Sequence, residues 1–386
     1  MHRIVPAGAV LAVACAAILA AGTFPTTRGG PSAIPPEMPP PATGTPLPGP
    51  AVVAEREAWA MGAPLRVRAA GSDRETAVRA IERAFLEVER LEAELSSWRE
   101  DSDLGRLRAA PAGTPVRVRA RTAALLSEAA DWVGRTGGAF DPAIGALVDA
   151  WDLRGGGRIP APAELEAALA SSRWERIRLD AAAGTVERAD GAAWIDAGGF
   201  GKGAALRSAA EALRAGGASA ALLDFGGQLA VLGDDPADGG PGWPVAVAHP
   251  ARRDSALLAG RLLHGSLATS GDSERSLDGP HGRIGHLLDP RTGAPAPAWG
   301  SVTVAADDPL AADVLATALF VMGPREGARW IDGRADAGAL FLLDRGDAVE
   351  VVFAGALEGR LRLEATRTVS RPRPRAASRD SEAGRN

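Results

Sequence analysis

The spacing of apolar residues alternates along this chain between the period of a helix and the period of a strand. Apolar side chains recur every three or four residues over 75–95, which predicts a long amphipathic helix. The same criterion predicts further helices over 122–135, 162–170, 204–215 and 311–322. Short alternating or continuously apolar runs predict strands at 65–70, 115–118, 176–179, 185–188, 192–196, 220–224, 244–248 and 257–263, and a hairpin at 338–344 and 349–353.

The predicted strands and helices follow one another without a regular strand–helix–strand rhythm, and the chain has no internal repeat. Grouped strands with helices packed on them are typical of the α+β class. We therefore expect mixed or antiparallel sheets covered by helices.

The N-terminal segment is a second kind of pattern. Residues 4–21 are almost wholly apolar and follow Arg3, which predicts an export signal or an uncleaved membrane anchor over 1–22. Lipidation of Cys15 is a third possibility, although the apolar run continues past this cysteine. All three place the rest of the chain outside the cytoplasm, in the periplasm or on the extracytoplasmic face of the inner membrane.

The remaining boundaries follow from composition. Residues 23–50 are rich in proline, which predicts an extended linker. The folded domain is expected over 51–368, and the polar residues 369–386 are expected to be a disordered tail.

Charge and cysteine content narrow the possible partners and metals. The net charge is −5 and no basic stripe carries interleaved aromatic residues, which argues against a nucleic-acid partner. Cys15 is the one cysteine, so a metal in the folded domain needs oxygen or histidine ligands. The five histidines lack metal-binding spacing, which favours a hard cation such as Mg²⁺ held by oxygen atoms.

The strongest candidate for ligand binding is the glycine-rich run from Asp196 to Gly203, which contains four glycines and Lys202. Glycine lets backbone N–H groups approach a ligand closely, and a helix N-terminus favours anions. The run therefore predicts a phosphate-binding turn. It is not a Walker A loop, which requires Gly at position 196 and Ser or Thr at 203. A plain strand–turn–helix connection is the alternative.

Two further segments offer one conspicuous side chain each. Trp98 stands in a polar loop after the first long helix, as a surface aromatic residue or as a platform for a flat ring. Asp141 follows a pair of glycines, either as a helix N-cap or as a carboxylate that meets a polar ligand.

The segment Thr269-Ser270-Gly271-Asp272 and the later His286 together contain Ser, His and Asp. A hydrolase triad is disfavoured because there is no Gly-x-Ser-x-Gly motif and Ser270 stands in a predicted turn. His286 precedes a predicted β-turn at 289–293, and it is either a structural hydrogen-bonding residue or a general base.

The last segment is the apolar helix that contains Asp313 and Thr317. The two residues are four apart and therefore share a helix face. A buried carboxylate needs a partner, and Mg²⁺ or a hydrogen bond would satisfy it. Asp313 as the N-cap of the helix is the alternative.

In their order and spacing, these five segments resemble the ApbE-type flavin transferase family, the FAD:protein FMN transferases, over about 61–353. The resemblance implies a T-fold-like domain that binds FAD and Mg²⁺, transfers FMN to a Thr or Ser hydroxyl of an acceptor protein as a phosphoester, and releases AMP. It also implies an exported or membrane-bound electron-transfer protein as acceptor.

Residue roles follow from the same resemblance. It implies that Mg²⁺ is bound by Asp313, Thr317 and the carbonyl of Gly201, and that His286 is the base for the acceptor hydroxyl, with Lys202 and Asp272 also catalytic. The residues implied to hold FAD, with Trp98 stacked on the isoalloxazine ring, are Trp98, Asp141, Gly199, Lys202, Thr269 and Ser270.

The chain departs from the family pattern at several positions, which include Arg108, Ala143, Ala146, Ala204 and Arg207. Arg207 stands where the family has an aspartate, so it reverses a charge close to the predicted phosphate site. These departures leave flavin binding without turnover open as an alternative. Hydrolysis of FAD to FMN and AMP is a second alternative, because the surface that binds an acceptor protein has no short sequence signature.

Overall fold

The computed structural model describes residues 2–6, 51–271, 276–279 and 282–364. Most of the predicted export signal, the proline-rich linker, Asp272 and the predicted tail lie outside the described residues. In the part of the chain that the structure describes, no helix is long and apolar enough to cross a membrane.

The described residues form seven α-helices and seventeen strands, numbered here in chain order. The helices are α1 Arg74–Leu95, α2 Asp103–Ala109, α3 Ala120–Arg135, α4 Gly145–Ala150, α5 Pro162–Ser171, α6 Gly201–Ala215 and α7 Pro309–Ile331. The strands are β1 His2–Pro6, β2 Val52–Ala60, β3 Ala63–Gly71, β4 Val116–Arg117, β5 Ile177–Asp180, β6 Thr185–Arg188, β7 Ala220–Phe225, β8 Gln228–Leu232, β9 Trp243–His249, β10 Arg252–Leu262, β11 Gly265–Gly271, β12 Ser276–Gly279, β13 Gly282–Gly285, β14 Gly300–Ala306, β15 Ala337–Asp344, β16 Ala348–Gly355 and β17 Leu361–Leu363.

The central sheet has nine strands in the order β1-β16-β15-β14-β11-β8-β7-β3-β2, and each pair of neighbours is antiparallel. Smaller sheets are formed by β17-β10-β9, by β4-β6-β5 and by β12-β13. The prediction of an α+β fold with antiparallel sheets and packed helices is confirmed.

The two faces of the central sheet pack against different layers, as the alternation of side chains along β15 illustrates. Ala339 and Phe341 belong to the core that includes α1, α6 and α7. Leu340 and Leu342 belong to a separate core with β9 and β10. Because successive strand residues point to opposite faces, one strand stabilises both layers.

Helix α7 is two helical segments in succession. Asp308 is its N-cap and accepts hydrogen bonds from the backbone N–H groups of Leu310 and Ala311. Gly323 has a non-helical backbone with φ 77°, and Pro324 follows it. The first segment therefore ends at Met322, where the sequence predicts the end of the helix, and a second segment continues to Ile331.

Two expectations about the glycine-rich run need correction. Residues 192–196 are not a strand of any sheet among the described residues. Two backbone hydrogen bonds tie them to the start of α4 and the loop before it, from Asp196 to Pro142 and from Gly145 to Trp194. Their apolar character reflects burial beneath that loop. Helix α6 begins at Gly201, three residues before its predicted start, so Lys202 and Gly203 lie in its first turn.

The predicted turn at 269–272 is also wrong for the residues described. Thr269 and Ser270 lie in β11, between β8 and β14 of the central sheet. Small polar residues and glycine resemble a turn in sequence, but here they pair with β14 on one side. Nine other α-helices and strands of the described residues were not predicted: α2, α4, β1, β2, β8, β12, β13, β14 and β17.

Helices α6 and α7 pack unusually closely at Gly203. A Cβ atom at this position would lie 2.5 Å from the carbonyl oxygen of Pro309 and 2.7 Å from Cα of Leu310. These are backbone atoms, so they cannot move aside without shifting α7. The close approach therefore requires glycine.

We predict that Gly203→Ala lowers the free energy of unfolding by about 2 kcal/mol or more, because overpacking forces the two helices apart. Urea unfolding followed by circular dichroism measures this change. Gly134→Ala is the matched control, since Gly134 lies in α3 and its Cβ would meet no atom within 4 Å. It should leave stability unchanged or raise it by up to about 1 kcal/mol. Equal stabilities of the Gly203 variant and the wild type would contradict this account of the packing.

Candidate functional site

The glycine-rich run lies along the first turns of α7 and contacts them at two points. The backbone N–H of Gly203 donates a hydrogen bond to Oδ2 of Asp313 at 2.8 Å. A Cβ built at Gly199 would lie 3.5 Å from Oγ1 of Thr317. Gly201 stands between these two glycines in the chain. The structure thus brings two of the residues predicted to bind the metal, Asp313 and Thr317, against the run that contains the third, Gly201.

Asp313 is a buried carboxylate with 7% of its surface exposed. Burial raises the pKa of Asp313, while the positive charge of Lys202 and the hydrogen bond from Gly203 oppose this rise. Its other carboxylate oxygen accepts no hydrogen bond from the residues that the structure describes. The interpretation of Asp313 as the helix N-cap is wrong, because Asp308 caps α7.

The groups that could coordinate a metal ion at this contact are one carboxylate, one hydroxyl and backbone carbonyl groups. Among the described residues, no cluster of three or more His, Cys, Asp or Glu side chains could hold a metal elsewhere. A hard cation such as Mg²⁺ prefers oxygen ligands. This contact offers several of them around a buried carboxylate, and one oxygen of that carboxylate still has no hydrogen bond within the described chain. The oxygen ligands present at this contact are therefore of the kind that Mg²⁺ prefers.

Asp141 is also buried, and both of its carboxylate oxygens accept backbone hydrogen bonds, from Ala143 and from Trp174, each at 2.9 Å. It does not cap α4, whose N-cap residue Ile144 makes no side-chain cap hydrogen bond. Asp141 instead ties its own loop to the start of a 3-10 helix, Trp174–Arg176. Its role in holding FAD stays a prediction.

Trp98 lies in the loop after α1 and is 70% exposed. The guanidinium group of Arg154 lies 4.4 Å from the centre of its ring. Nη2 of Arg154 donates to Oγ of Ser97 at 2.8 Å and to Oδ2 of Asp196 at 2.6 Å. Arg154 therefore joins the Trp98 loop to the glycine-rich run. Sequence reasoning missed Arg154, because one arginine before three glycines carries no signal of this contact.

Thr269 and Ser270 face opposite sides of the central sheet. Ala268 packs in the core with α7, so Ser270, two residues later, lies on the same helix-covered face. Thr269 points to the other face, where its Oγ1 lies 2.8 Å from Oγ1 of Thr303. Of the two residues predicted to line the site, the strand places only Ser270 on the side of α7.

His286 is half-buried and directly follows β13. The turn after it forms as predicted: the carbonyl of Asp289 accepts a hydrogen bond from Gly293 at 2.8 Å. Leu288 packs against α4 and α5, and the Trp151 indole donates to the carbonyl of Gly293 at 2.7 Å. The turn is therefore firmly held, while the role of His286 as a base stays a prediction.

Residues 61–341 match the sequence profile of the ApbE family. The chain belongs to the ApbE family. Its relatives include an FAD:protein FMN transferase of Treponema pallidum, 32% identical over 278 residues that cover 68% of this chain and 76% of the relative. Another, from Rhodobacter capsulatus, is 34% identical over 264 residues, which cover 66% of this chain and about half (47%) of the relative.

Solved structures of the ApbE family share the fold. The ApbE protein of Thermotoga maritima is 28% identical, with a TM-score of 0.70 over 79% of this chain and 97% of that protein. The flavin transferase ApbE of Vibrio cholerae is 25% identical, with a TM-score of 0.70 over 81% of this chain and 100% of that protein. The family, its fold and the flavin transferase class of enzyme, all predicted from the sequence, are confirmed.

The departure from the ApbE pattern at Arg207 has a structural explanation. The guanidinium of Arg207 makes two hydrogen bonds of 2.8 Å to the carboxylate of Glu128, and it also pairs with Asp308. Burial lowers the pKa of Arg207, because it disfavours the charged guanidinium. The hydrogen bonds and the charges of the two carboxylates together outweigh burial, so the pKa is raised overall. Two carboxylates therefore neutralise this charge, which links α6 to α3 and to the N-cap of α7.

The other charged departure, Arg108, is also paired. It lies over the Trp194 ring at 4.1 Å and contacts Asp149 at 3.2 Å. Asp149 in turn accepts a hydrogen bond from the Trp194 indole at 2.8 Å. Arg108 therefore packs on Trp194, two residues before the glycine-rich run begins.

We predict that Asp141 makes stability depend on pH. Burial raises the pKa of Asp141 to about 6. A carboxyl whose pKa is higher in the folded state than in the unfolded chain contributes stability that is present at low pH and is lost as the pH rises through the folded-state value. Its contribution should thus fall by about 3 kcal/mol between pH 3.5 and 7, at about 1.4 kcal/mol per pKa unit.

The check is urea unfolding of the wild type and of Asp141→Asn over this pH range. The variant lacks the titrating group, so the stability of the wild type relative to the variant should decline as the pH rises. A difference that is constant from pH 3.5 to 7 would mean that Asp141 titrates at an ordinary pKa.

Proposed function

We propose that this protein transfers FMN from FAD to a Thr or Ser hydroxyl of an acceptor protein in a Mg²⁺-dependent reaction that releases AMP. The observation that carries the proposal is the contact of the glycine-rich run with α7. This contact sets Lys202 and the N-terminus of α6 beside the buried Asp313. A site for anionic phosphate thus adjoins a set of oxygen donors for a cation.

The residues at this contact have distinct roles in the proposed reaction. Backbone N–H groups at the start of α6 and the ammonium of Lys202 bind the pyrophosphate of FAD. Asp313, Thr317 and the carbonyl of Gly201 hold Mg²⁺. When bound, the ion supplies positive charge that stabilises the pyrophosphate and the departing AMP.

The proposed transfer exchanges one phosphorus–oxygen bond for another. The acceptor hydroxyl oxygen forms a bond to the phosphorus of FMN, and the bond from that phosphorus to the AMP phosphate breaks. AMP leaves with the electron pair of that bond. The hydroxyl proton passes to His286, which acts as the general base.

The acceptor that we propose is an exported or membrane-bound electron-transfer protein. Support comes from the sequence, where the apolar residues 4–21 are typical of an export signal or anchor. The structure pairs the first of them, residues 4–6, with β16 at the edge of the central sheet. A proline-rich linker at 23–50 would let an anchored enzyme reach neighbouring membrane proteins. We therefore place the reaction in the periplasm or at the extracytoplasmic face of the inner membrane.

The experiment that tests the function mixes the full-length protein with FAD, Mg²⁺ and a purified acceptor protein that carries a flavinylation threonine. Flavin fluorescence of the denatured acceptor in a gel reports covalent transfer, and AMP is measured in parallel. Transfer that EDTA abolishes would support the proposal. AMP without a fluorescent acceptor would favour FAD hydrolysis, and bound FAD without AMP would favour a binding protein.

We predict that Asp313→Asn lowers the rate of FMN transfer by at least about 100-fold, because it removes the one carboxylate from the proposed metal site. The asparagine oxygen can still accept the hydrogen bond from Gly203, so stability should change little. The matched control is Asp332→Asn at the far end of α7, where the carboxylate accepts a hydrogen bond from Gly355 at 3.2 Å. Transfer by the Asp313 variant at the control rate would contradict the proposed metal site.

A further inference from the structure

Arg154 lies between two tryptophan rings in the wall of the site. Its guanidinium carbon is 4.4 Å from the ring centre of Trp98 and 4.5 Å from that of Trp194. Arg108 lies over Trp194 as well, at 4.1 Å. We call Trp98, Arg154, Trp194 and Arg108 the stacked column. Planar guanidinium groups stack well on indole rings, and such contacts contribute about 0.5–2 kcal/mol each.

The inner end of the stacked column is fixed. The Trp194 indole and Arg108 both bind the carboxylate of Asp149. Trp194 is also buried, with 3% of its surface exposed. This end is therefore a rigid base.

The outer end is Trp98, and its orientation depends on Arg154. The Trp98 indole N–H makes no hydrogen bond to any residue that the structure describes. The stacking contact with Arg154 is the one aromatic or cation contact recorded for its ring in the described chain. Most of the Trp98 surface remains open to solvent, since the residue is 70% exposed.

Arg154 also connects this ring to the phosphate-binding turn. Its Nη2 donates to Ser97, the neighbour of Trp98, and to Asp196, which caps the 3-10 helix Ala197–Gly199. Its Nη1 is buried and has no hydrogen-bond partner in the described part of the chain. An unsatisfied buried donor is costly, so the hydrogen bonds of Arg154 do not by themselves explain its position. In this position Arg154 stacks on the rings of Trp98 and Trp194 and bonds to Asp196. We take these contacts as the reason for its position.

We propose that Arg154 is a positioning residue that holds Trp98 as a preformed face for the flat isoalloxazine ring and sets its distance from the phosphate-binding turn. The inference rests on the proposed function, because it takes the ligand to be a flavin. A ring platform that is already ordered avoids the entropy cost of ordering it on binding. Arg154 would thereby favour flavin binding through Trp98, without touching the ligand itself.

The test is a double-mutant cycle on riboflavin affinity, with the full-length protein and flavin fluorescence as the readout. We expect Arg154→Ala to raise the Kd for riboflavin about tenfold, which is about 1.4 kcal/mol. If Arg154 acts through Trp98, Trp98→Ala should weaken binding at least as much, and adding Arg154→Ala to it should have no further effect. In the transfer reaction, KM for FAD should rise while kcat changes less than about twofold.

Two further variants separate stacking from charge. Arg154→Lys keeps the positive charge beside Asp196 but loses the planar group, so its Kd should be close to that of Arg154→Ala. If Arg154→Ala does not fold, Arg154→Lys replaces it in the double-mutant cycle with Trp98→Ala. Arg158→Ala is the matched control, because Arg158 lies in the same loop and pairs with the exposed Glu164. Its Kd should equal that of the wild type.

Three results would overturn the inference. Additive effects in the cycle would mean that Arg154 contacts the flavin directly. An unchanged or lower Kd in Arg154→Ala would mean that Arg154 does not position the ring, or competes with the flavin for it. A wild type that does not bind riboflavin would also refute it. Absence of FMN transfer with normal riboflavin binding would instead refute only the proposed function, and the cycle would still decide the role of Arg154.

Discussion

The contact between the N-terminus of α6 and the side of α7 is the constraint on which the rest of the site depends. At Gly203 the two helices approach so closely that a side chain would strike the backbone of α7. The approach allows one N–H of the first helical turn to bind the buried carboxylate of Asp313. A larger residue would separate the glycine-rich run from both Asp313 and Thr317. One glycine therefore serves both packing and site geometry.

Burial of Asp313 has an electrostatic consequence. An isolated carboxylate in the core is costly, and it becomes tolerable only when positive charge or donors lie near it. Lys202 and the backbone N–H of Gly203 provide part of this compensation. A bound cation would provide more. The burial that raises the pKa of Asp313 is therefore what makes nearby positive charge and hydrogen-bond donors necessary at this position.

The charges around the contact are arranged so that they do not disturb it. Arg207 would bring a second cation close to the turn, but Glu128 and Asp308 bind it. In doing so it links α3, α6 and the N-cap of α7. Arg108 and Arg154 are held in the stacked column, with Asp149 and Asp196 as their partners. Local ion pairs thus neutralise the two charged departures from the family pattern, Arg207 and Arg108. The positive charge of Lys202 lowers the pKa of Asp313.

The sequence by itself determined the α+β class, the long helices and the choice of the glycine-rich run and the Asp313 helix as candidate segments, which the structure places in contact. These follow from periodicity over many residues, as in α1 and α7, or from a motif such as the run that ends at Gly203. Tertiary structure alone decided that β11 is a central strand, that residues 192–196 are not a strand and that Thr269 and Ser270 face opposite ways. It also decided the position of Arg154. Short segments carry weak local preferences, so their conformation is set by neighbours that are distant in the chain, which no local pattern records.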